Sequence, residues 1–218
     1  MKILSQVMAA LALAALSITA VAADGSSLKP PPGARVAIVV FEDLECPTCA
    51  EAYPQVFQTA DAHHVAVVLH DFPLNIHPWS FDAAVYARYF DTRSEKLGND
   101  FRGYIYSNQP SINKSNLRQF VDKFANENKM PLPFVFDSDG QLKNKVIADR
   151  DLGSRIGLQH TPTIFVVGNG GAATPAVEVE DRSKLSQIVE EMLAKSPAPK
   201  ATPGKTAPAK KKTAKTTH

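Results

Sequence analysis

The sequence of 218 residues is poor in cysteine: it contains only Cys46 and Cys49, which Pro47 and Thr48 separate. One pair excludes the multi-disulfide framework of small secreted proteins. A bridge this short would stabilise the fold little, because even a 15-residue loop contributes only ~3 kcal/mol. Structural zinc needs four Cys or His ligands, and the histidines offer no compact second pair. The motif therefore favours redox chemistry over a metal site, and we expect neither a metal nor a cofactor.

Long apolar runs are also missing beyond the first residues of the chain. The stretch from Met8 to Ala23 is almost wholly apolar, follows Lys2 and ends in small residues. This pattern predicts a secretory signal peptide over residues 1–23. An uncleaved membrane anchor is the alternative, although the apolar core is shorter than the ~20 residues that a bilayer span needs. We therefore expect a periplasmic or secreted protein, in a compartment where disulfides persist.

Acidic residues are absent from the C-terminal segment. Residues 195–218 contain seven lysines among many Ala, Pro and Thr residues, which predicts a disordered basic tail. The tail either contacts an anionic cell envelope electrostatically or only increases solubility. Residues 24–194, the predicted folded domain, hold 16 basic and 22 acidic residues. An acidic domain of this kind is a poor candidate for binding nucleic acid.

The surroundings of the cysteines suit a reactive thiol. Residues 35–41 form a β-branched run that predicts a buried strand, and Pro47 suits the first position of a helix. Cys46 would then lie at the positive end of that helix, where backbone N–H groups and the helix dipole lower a thiol pKa. Cys49 would lie on the same face, one turn deeper. The sequence thus predicts an exposed attacking Cys46 and a shielded resolving Cys49.

Three carboxylates precede the thiol and would oppose a thiolate if they lay close to it. They are Glu42, Asp43 and Glu45. A charge affects a thiol pKa strongly only when it is near and poorly screened. We expect at least two of the three to be solvated loop residues.

Three segments together resemble the DsbA-like branch of the thioredoxin superfamily over about residues 33–194. The first is Phe41-Glu42-Asp43-Leu44-Glu45-Cys46-Pro47-Thr48-Cys49, which is similar to the active-site approach of that branch. The second is residues 65–79, which are similar to the family's second strand and to the segment that joins that strand to a helical insertion. The third, residues 157–168, resembles the strand that carries the family's cis-proline, here Pro162. The resemblance implies an α/β domain with a thioredoxin fold and a helical insertion.

The apolar spacing of the remaining chain agrees with such an insertion. It predicts helices at Trp79–Lys96, around Leu117–Phe124 with a cap at Asn113 or Ser115, and at Gly140–Ile156. After Pro162 we expect strands at residues 163–167 and 175–180. A final helix is predicted from Asp181 to Ala194.

The resemblance also assigns roles around the dithiol. Pro47 and Thr48 set the geometry of the motif, and a cis Pro162 would let the backbone of Thr161 bind an extended substrate peptide. Family members often carry an acidic residue six positions before the first cysteine, but Val40 stands there in this sequence. Either Glu42 or a water molecule would then assist proton transfer, or the resolving step is less assisted. His160 is either an ordinary loop histidine or a second proton donor.

The function that follows is that of an exported thiol–disulfide oxidoreductase. Its partners would be unfolded or cysteine-containing exported proteins and a membrane or soluble redox partner that recycles it, with no nucleic acid. Known members of the superfamily differ in reduction potential by ~150 mV. Oxidation is the favoured direction because the resemblance is to exported disulfide-forming enzymes. The alternatives are an envelope disulfide reductase, or a chaperone or metal-binding module without turnover on the same fold.

Overall fold

Six α-helices and four β-strands make up residues 23–198, the part of the chain that the computed structural model describes. In chain order they are β1 Val36–Glu42, α1 Pro47–His63, β2 Ala66–Asp71, α2 Ser80–Asp91, α3 Glu95–Asn108, α4 Leu117–Glu127, α5 Gln141–Arg155, β3 Thr163–Gly168, β4 Val177–Glu178 and α6 Leu185–Lys195. The predicted signal peptide, except Ala23, and the predicted tail from residue 199 onward lie outside the described residues. No helix in the described range has the length and apolar character to cross a membrane.

The four strands form one mixed sheet in the order β2-β1-β3-β4. Strand β1 pairs in parallel with β2, where Val39 lies opposite Val68, and antiparallel with β3, where Val39 lies opposite Phe165. Every residue of β1 and β3 is buried, as expected for central strands that are covered on both faces. The pairing with β3 therefore fixes the position of the carboxyl end of β1, and the segment that carries the cysteines follows directly after it.

Alternate residues of β1 contribute to two hydrophobic cores. Ile38 and Val40 pack with Val56 of α1 and Val189 of α6 on one face of the sheet. On the other face, Ala37, Val39 and Phe41 pack with residues that follow α5, including Ile156 and Leu158. This division is the two-residue alternation that a pleated strand imposes.

The insertion between β2 and β3 consists of α2, α3, α4 and α5. Its centre is aromatic, since the rings of Phe90 and Phe101 lie 4.6 Å apart and both contact Phe124, at 5.0 and 5.2 Å. The same buried cluster contains Cys46 and Cys49. The insertion is therefore packed directly against the dithiol.

The predicted helix Trp79–Lys96 is wrong in extent. Helix α2 ends at Asp91, and α3 begins at Glu95 after Ser94, whose side chain accepts a hydrogen bond from Leu97 N. Serine is a preferred N-cap residue, so it starts a new helix here instead of continuing the old one. The rest of α3 was not predicted.

Several other boundaries also differ from the prediction. Helix α4 starts at Leu117 with Asn116 as its N-cap, instead of Asn113 or Ser115. The strand expected over 175–180 is only Val177–Glu178, and a 3-10 turn at Arg182–Lys184 precedes α6. Helix α6 continues one residue past Ala194, and Ser196 after it is also buried. The ordered domain thus extends slightly into the segment that we predicted as tail.

Candidate active site

Cys46 lies where strand β1 gives way to helix α1. It is the N-cap residue, with an extended backbone (φ −80°, ψ 119°), and Pro47 follows at the first helical position. The Cys46 carbonyl accepts hydrogen bonds from the N–H groups of Cys49 and Ala50, at 3.1 and 3.2 Å. Proline suits this position because the first N–H of a helix has no intrahelical partner. The Cys46 sulfur is thereby held at the positive end of the helix.

The two thiols have opposite acidities. The pKa of Cys46 is lowered to about 5, chiefly by a hydrogen bond from the Cys49 thiol, while burial opposes this effect. The Thr161 side chain and the backbone N–H groups of Cys49 and Thr48 lower the pKa further. The pKa of Cys49 is strongly raised, first by burial and then by its contact with Cys46. At neutral pH this arrangement favours a thiolate at Cys46 and a proton on Cys49.

The expectation of an exposed Cys46 is wrong in the structure. Only 7% of Cys46 and 2% of Cys49 is exposed, whereas Pro47 and Thr48 between them lie at the surface. The reason is the insertion, which places Trp79 in the same buried cluster as both cysteines. Both cysteines are therefore largely covered, and Pro47 and Thr48 form the exposed part of the motif.

The loop before β3 brings the second predicted motif to the first. The Thr161–Pro162 peptide bond is cis, as the resemblance implied. The Cys46 sulfur lies 3.4 Å from the Thr161 carbonyl oxygen, which accepts a hydrogen bond from it when Cys46 is protonated. Residues Thr48, His160, Thr161 and Pro162 line one cavity of about 390 Å³, together with charged residues near β4 that include Glu178 and Arg182.

His160 is exposed on the rim of this cavity. The His160 carbonyl oxygen accepts a hydrogen bond of 2.7 Å from the Thr163 hydroxyl, and the His160 Nδ1 lies 3.4 Å from the oxygen of that hydroxyl. Among the described residues, no hydrogen bond joins His160 to either cysteine. The structure thus places the histidine at this cavity, with Thr163 and not a cysteine as its hydrogen-bond partner.

Glu42 and Asp43 are buried, so the expectation that most of the carboxylates are solvated is wrong. Glu42 is 3% exposed; it accepts a 2.9 Å hydrogen bond from the Tyr106 hydroxyl and forms a 2.9 Å ion pair with Arg102 Nε. Burial is the main cause that raises the Glu42 pKa to about 7, with Arg102 opposing it and Asp71 adding to it. Glu42 can therefore take up and release a proton near neutral pH.

Asp43 is a central hydrogen-bond acceptor beneath the motif. Its carboxylate accepts from the N–H groups of Glu45 and Leu74, at 2.8 and 2.7 Å, and from the Ser80 hydroxyl, and His77 Nδ1 lies 2.7 Å from it. Its own N–H donates to the Cys49 sulfur at 3.5 Å. A buried carboxylate with this many donors is stable only while all of them stay in place.

Glu45 connects the motif to the insertion. Its Oε2 accepts hydrogen bonds from the N–H groups of Trp79 and Ser80, at 2.8 and 3.1 Å. These are free N–H groups at the start of α2, which has no capping side chain of its own. A residue of the active-site loop thus caps the first helix of the insertion.

Sequence reasoning missed Arg102 and Tyr106 because it missed helix α3. Arg102 is 1% exposed and pairs with Asp91 at 2.9 Å as well as with Glu42. A buried arginine gives no apolar signal, and its partners are distant in sequence.

Within the described range, no three His, Cys, Asp or Glu residues are grouped so that they could hold a metal ion.

The sequence model of the thioredoxin family matches residues 31–191. The chain belongs to the thioredoxin family. None of the curated proteins matches it significantly. The predicted thioredoxin fold with a helical insertion is confirmed by solved structures that are similar to this thioredoxin-family protein.

Three of these structures have DsbA-like or related names. Wolbachia pipientis α-DsbA1 has a TM-score of 0.61 at 16% identity, over 77% of this chain and 90% of that chain. The catalytic domain of Proteus mirabilis ScsC has a TM-score of 0.60 at 17% identity, over 77% and 88%. Pseudomonas aeruginosa DsbA2 has a TM-score of 0.53 at 19% identity, over 73% and 90%. At these identities the likeness shows the fold alone.

Proposed function

We propose that this thioredoxin-family protein is an exported thiol–disulfide oxidoreductase that exchanges its Cys46–Cys49 pair with protein substrates. The observation that carries the proposal is the opposed acidity of two adjacent thiols. The pKa of Cys46 is about 5 at the helix N-terminus, whereas that of Cys49 is raised behind it. A purely structural cysteine pair needs no such difference.

The exchange proceeds through a mixed disulfide at Cys46. In the oxidising direction a substrate thiolate attacks Cys46 of the enzyme disulfide, and Cys49 leaves as a thiolate that takes up a proton. A second substrate thiolate then attacks the substrate sulfur, and Cys46 leaves. The substrate loses two electrons and gains a disulfide, while the enzyme is reduced to the dithiol. The reducing direction is the reverse, with Cys46 attacking and Cys49 resolving.

Oxidation is the direction that we favour. A low pKa makes Cys46 a good leaving group and stabilises the reduced enzyme, which makes the disulfide form the stronger oxidant. The ionisation of Cys46 is therefore the property that supports an oxidase over an envelope reductase. A chaperone or metal-binding module without turnover remains the alternative outside redox chemistry.

Glu42 is the group that we propose to accept the Cys49 proton. Val40 stands where many relatives carry an acid, but Glu42 is two residues further along β1 and so lies on the same face of the strand. The Glu42 carboxylate is also among the charges that raise the Cys49 pKa. His160, at the rim of the cavity, is the second candidate and would serve the substrate side.

Substrate recognition is proposed at the backbone of Thr161 and Pro162. An extended, cysteine-containing segment of an unfolded exported protein would lie in the cavity between this loop and Thr48. Export depends on the predicted signal peptide, and a redox partner would recycle the enzyme. The basic tail would contact an anionic envelope, and its deletion should leave exchange unchanged.

Oxidative refolding of a reduced secreted protein tests the proposal. The chain from Asp24 onward should restore substrate activity in a glutathione buffer, and Cys46→Ser should abolish this effect. Rapid insulin reduction without oxidative refolding would reverse the direction. Protection of an unfolded protein from aggregation that persists in Cys46→Ser, with no exchange in either assay, would instead show a chaperone.

A further inference from the structure

Helix α3 contacts both oxygens of the Glu42 carboxylate. The Tyr106 hydroxyl donates to Oε2 at 2.9 Å, and Arg102 Nε lies 2.9 Å from Oε1. Both side chains are buried. The orientation of the carboxylate is thus set from α3 and not from the strand that carries it.

Tyr106 is close to the resolving cysteine as well. It belongs to the buried cluster that contains both cysteines. Burial, and then the charges of Glu42 and Cys49, raise the Tyr106 pKa well above its usual value. Tyr106 therefore keeps its proton throughout the neutral range and acts on Glu42 only as a hydrogen-bond donor.

We propose that Tyr106 is a positioning residue for the resolving step: its hydroxyl holds the Glu42 carboxylate ionised and oriented to accept the Cys49 proton. The proposal rests on the proposed function and deepens it. When Cys49 resolves a mixed disulfide, its proton passes to Glu42 and its sulfur bonds to Cys46. The bond between Cys46 and the substrate sulfur breaks, and the substrate leaves as a thiolate. Over the two steps together, attack by Cys46 and resolution by Cys49, the two cysteines lose two electrons and the substrate disulfide gains the same two.

Other charged and titratable groups also face Glu42. They come from each element packed around it: Arg102 on α3, Arg88 on α2, Asp71 on β2, and Cys49 and Tyr53 on α1. Replacing a charged member would change the net charge around the carboxylate. The Tyr106 hydroxyl can be removed without any change of charge, which makes it the sharpest probe.

The first experiment compares Tyr106→Phe with Tyr53→Phe. Tyr53 is a matched control because its ring lies 5.1 Å from that of Tyr106 but its hydroxyl donates to the Asn99 carbonyl, at 2.6 Å. Reduced protein is mixed with oxidised glutathione, and the resolving phase is followed by fluorescence of Trp79, the only tryptophan, which is buried with the cysteines.

The resolving rate in the wild type should rise with pH around a midpoint near 7, the value of the Glu42 pKa. Loss of a hydrogen bond to the charged carboxylate favours its protonated form, so Tyr106→Phe should raise the midpoint by about 1 to 2 pH units. Tyr53→Phe should keep the wild-type midpoint. Equal midpoints for the two variants would overturn the proposal.

A second measurement avoids any folding defect of the variant. In wild-type protein labelled at tyrosine 13Cζ, the Tyr106 resonance should titrate with the kinetic midpoint, because its acceptor changes charge there. The Tyr53 resonance, assigned through Tyr53→Phe, should show at most a much smaller shift. A Tyr106 resonance that does not change across that range refutes the proposal.

A wild type that forms no mixed disulfide would overturn the proposed function and this inference together, whereas normal exchange with an unshifted variant overturns the inference alone.

Discussion

The acidity of Cys46 predicts an unusual pH profile for its alkylation. With a pKa of about 5, the thiol should be about 76% ionised at pH 5.5 and almost fully ionised at pH 8.5. The rate of reaction of the reduced protein with iodoacetamide should therefore fall less than about twofold between pH 8.5 and 5.5. An ordinary cysteine of pKa ~8.5 should slow by roughly 500-fold over the same interval.

The ratio of the alkylation rates at pH 8.5 and 5.5 is a better measure of the Cys46 pKa than the rate at pH 7 alone. A thiolate loses nucleophilicity as its pKa falls, with a slope of ~0.4–0.5, so Cys46 should be about 25- to 60-fold less reactive per thiolate than an ordinary cysteine. At pH 7 this loss nearly cancels the roughly 30-fold larger thiolate fraction. The small exposure of Cys46 slows the reaction further, but equally at every pH, so it leaves the ratio unchanged.

Two variants make the alkylation result specific. Cys49→Ala should move the profile to higher pH, because the Cys49 thiol is the largest cause of the low Cys46 pKa. Cys46→Ser should leave a folded protein that iodoacetamide hardly modifies, since Cys49 is buried and its pKa is raised. A wild-type alkylation rate that falls several-hundred-fold between pH 8.5 and 5.5 would show that Cys46 has the pKa of an ordinary cysteine.

Three further predictions concern stability, each measured by urea unfolding of the reduced protein. Arg102→Met should lower the free energy of unfolding by about 3–5 kcal/mol, because it removes the cation paired with the buried Glu42 carboxylate, and a loss below about 1 kcal/mol would contradict this buried network. Glu45→Ala should cost about 0.5–2 kcal/mol through the lost cap of α2, with an unchanged stability as the contrary result. Phe101→Ala should lower the free energy of unfolding by about 3–5 kcal/mol, because Phe101 is fully buried. Phe134→Ala, at a residue that is 96% exposed, should change it by less than about 0.5 kcal/mol. Similar losses at both sites would be inconsistent with the packing.

The strands and the motif could be predicted because their signals are local. Most residues of β1 are β-branched and all of them are buried, so the strand was predicted to within one residue at each end. Pro47 placed the start of α1 correctly. In both cases the signal depends on a few adjacent residues. The cause is a buried central strand in the first case and the missing N–H group of proline in the second.

The surroundings of the dithiol could not be predicted because they depend on distant partners. Glu42 and Asp43 have the composition of a solvated loop, and side chains distant in sequence, among them Arg102, Tyr106 and His77, pair with them in the interior. Those partners are 34 to 64 residues away in sequence. Helix α3, which supplies two of them, buries an arginine and so lacks the wholly apolar face that a helix prediction relies on.

The cap that Glu45 provides for α2 has a consequence for engineering. The loop that carries the reactive sulfur and the first insertion helix each depend on the other, since Asp43 and Glu45 take hydrogen bonds from Leu74, Trp79 and Ser80. A minimal version trimmed to the sheet and its flanking helices would remove both donors to the Glu45 carboxylate and leave Asp43 without the Ser80 hydroxyl. The smallest autonomous redox module in this chain therefore includes the start of the insertion, and transplanting the Cys-Pro-Thr-Cys loop alone would not transfer its acidity.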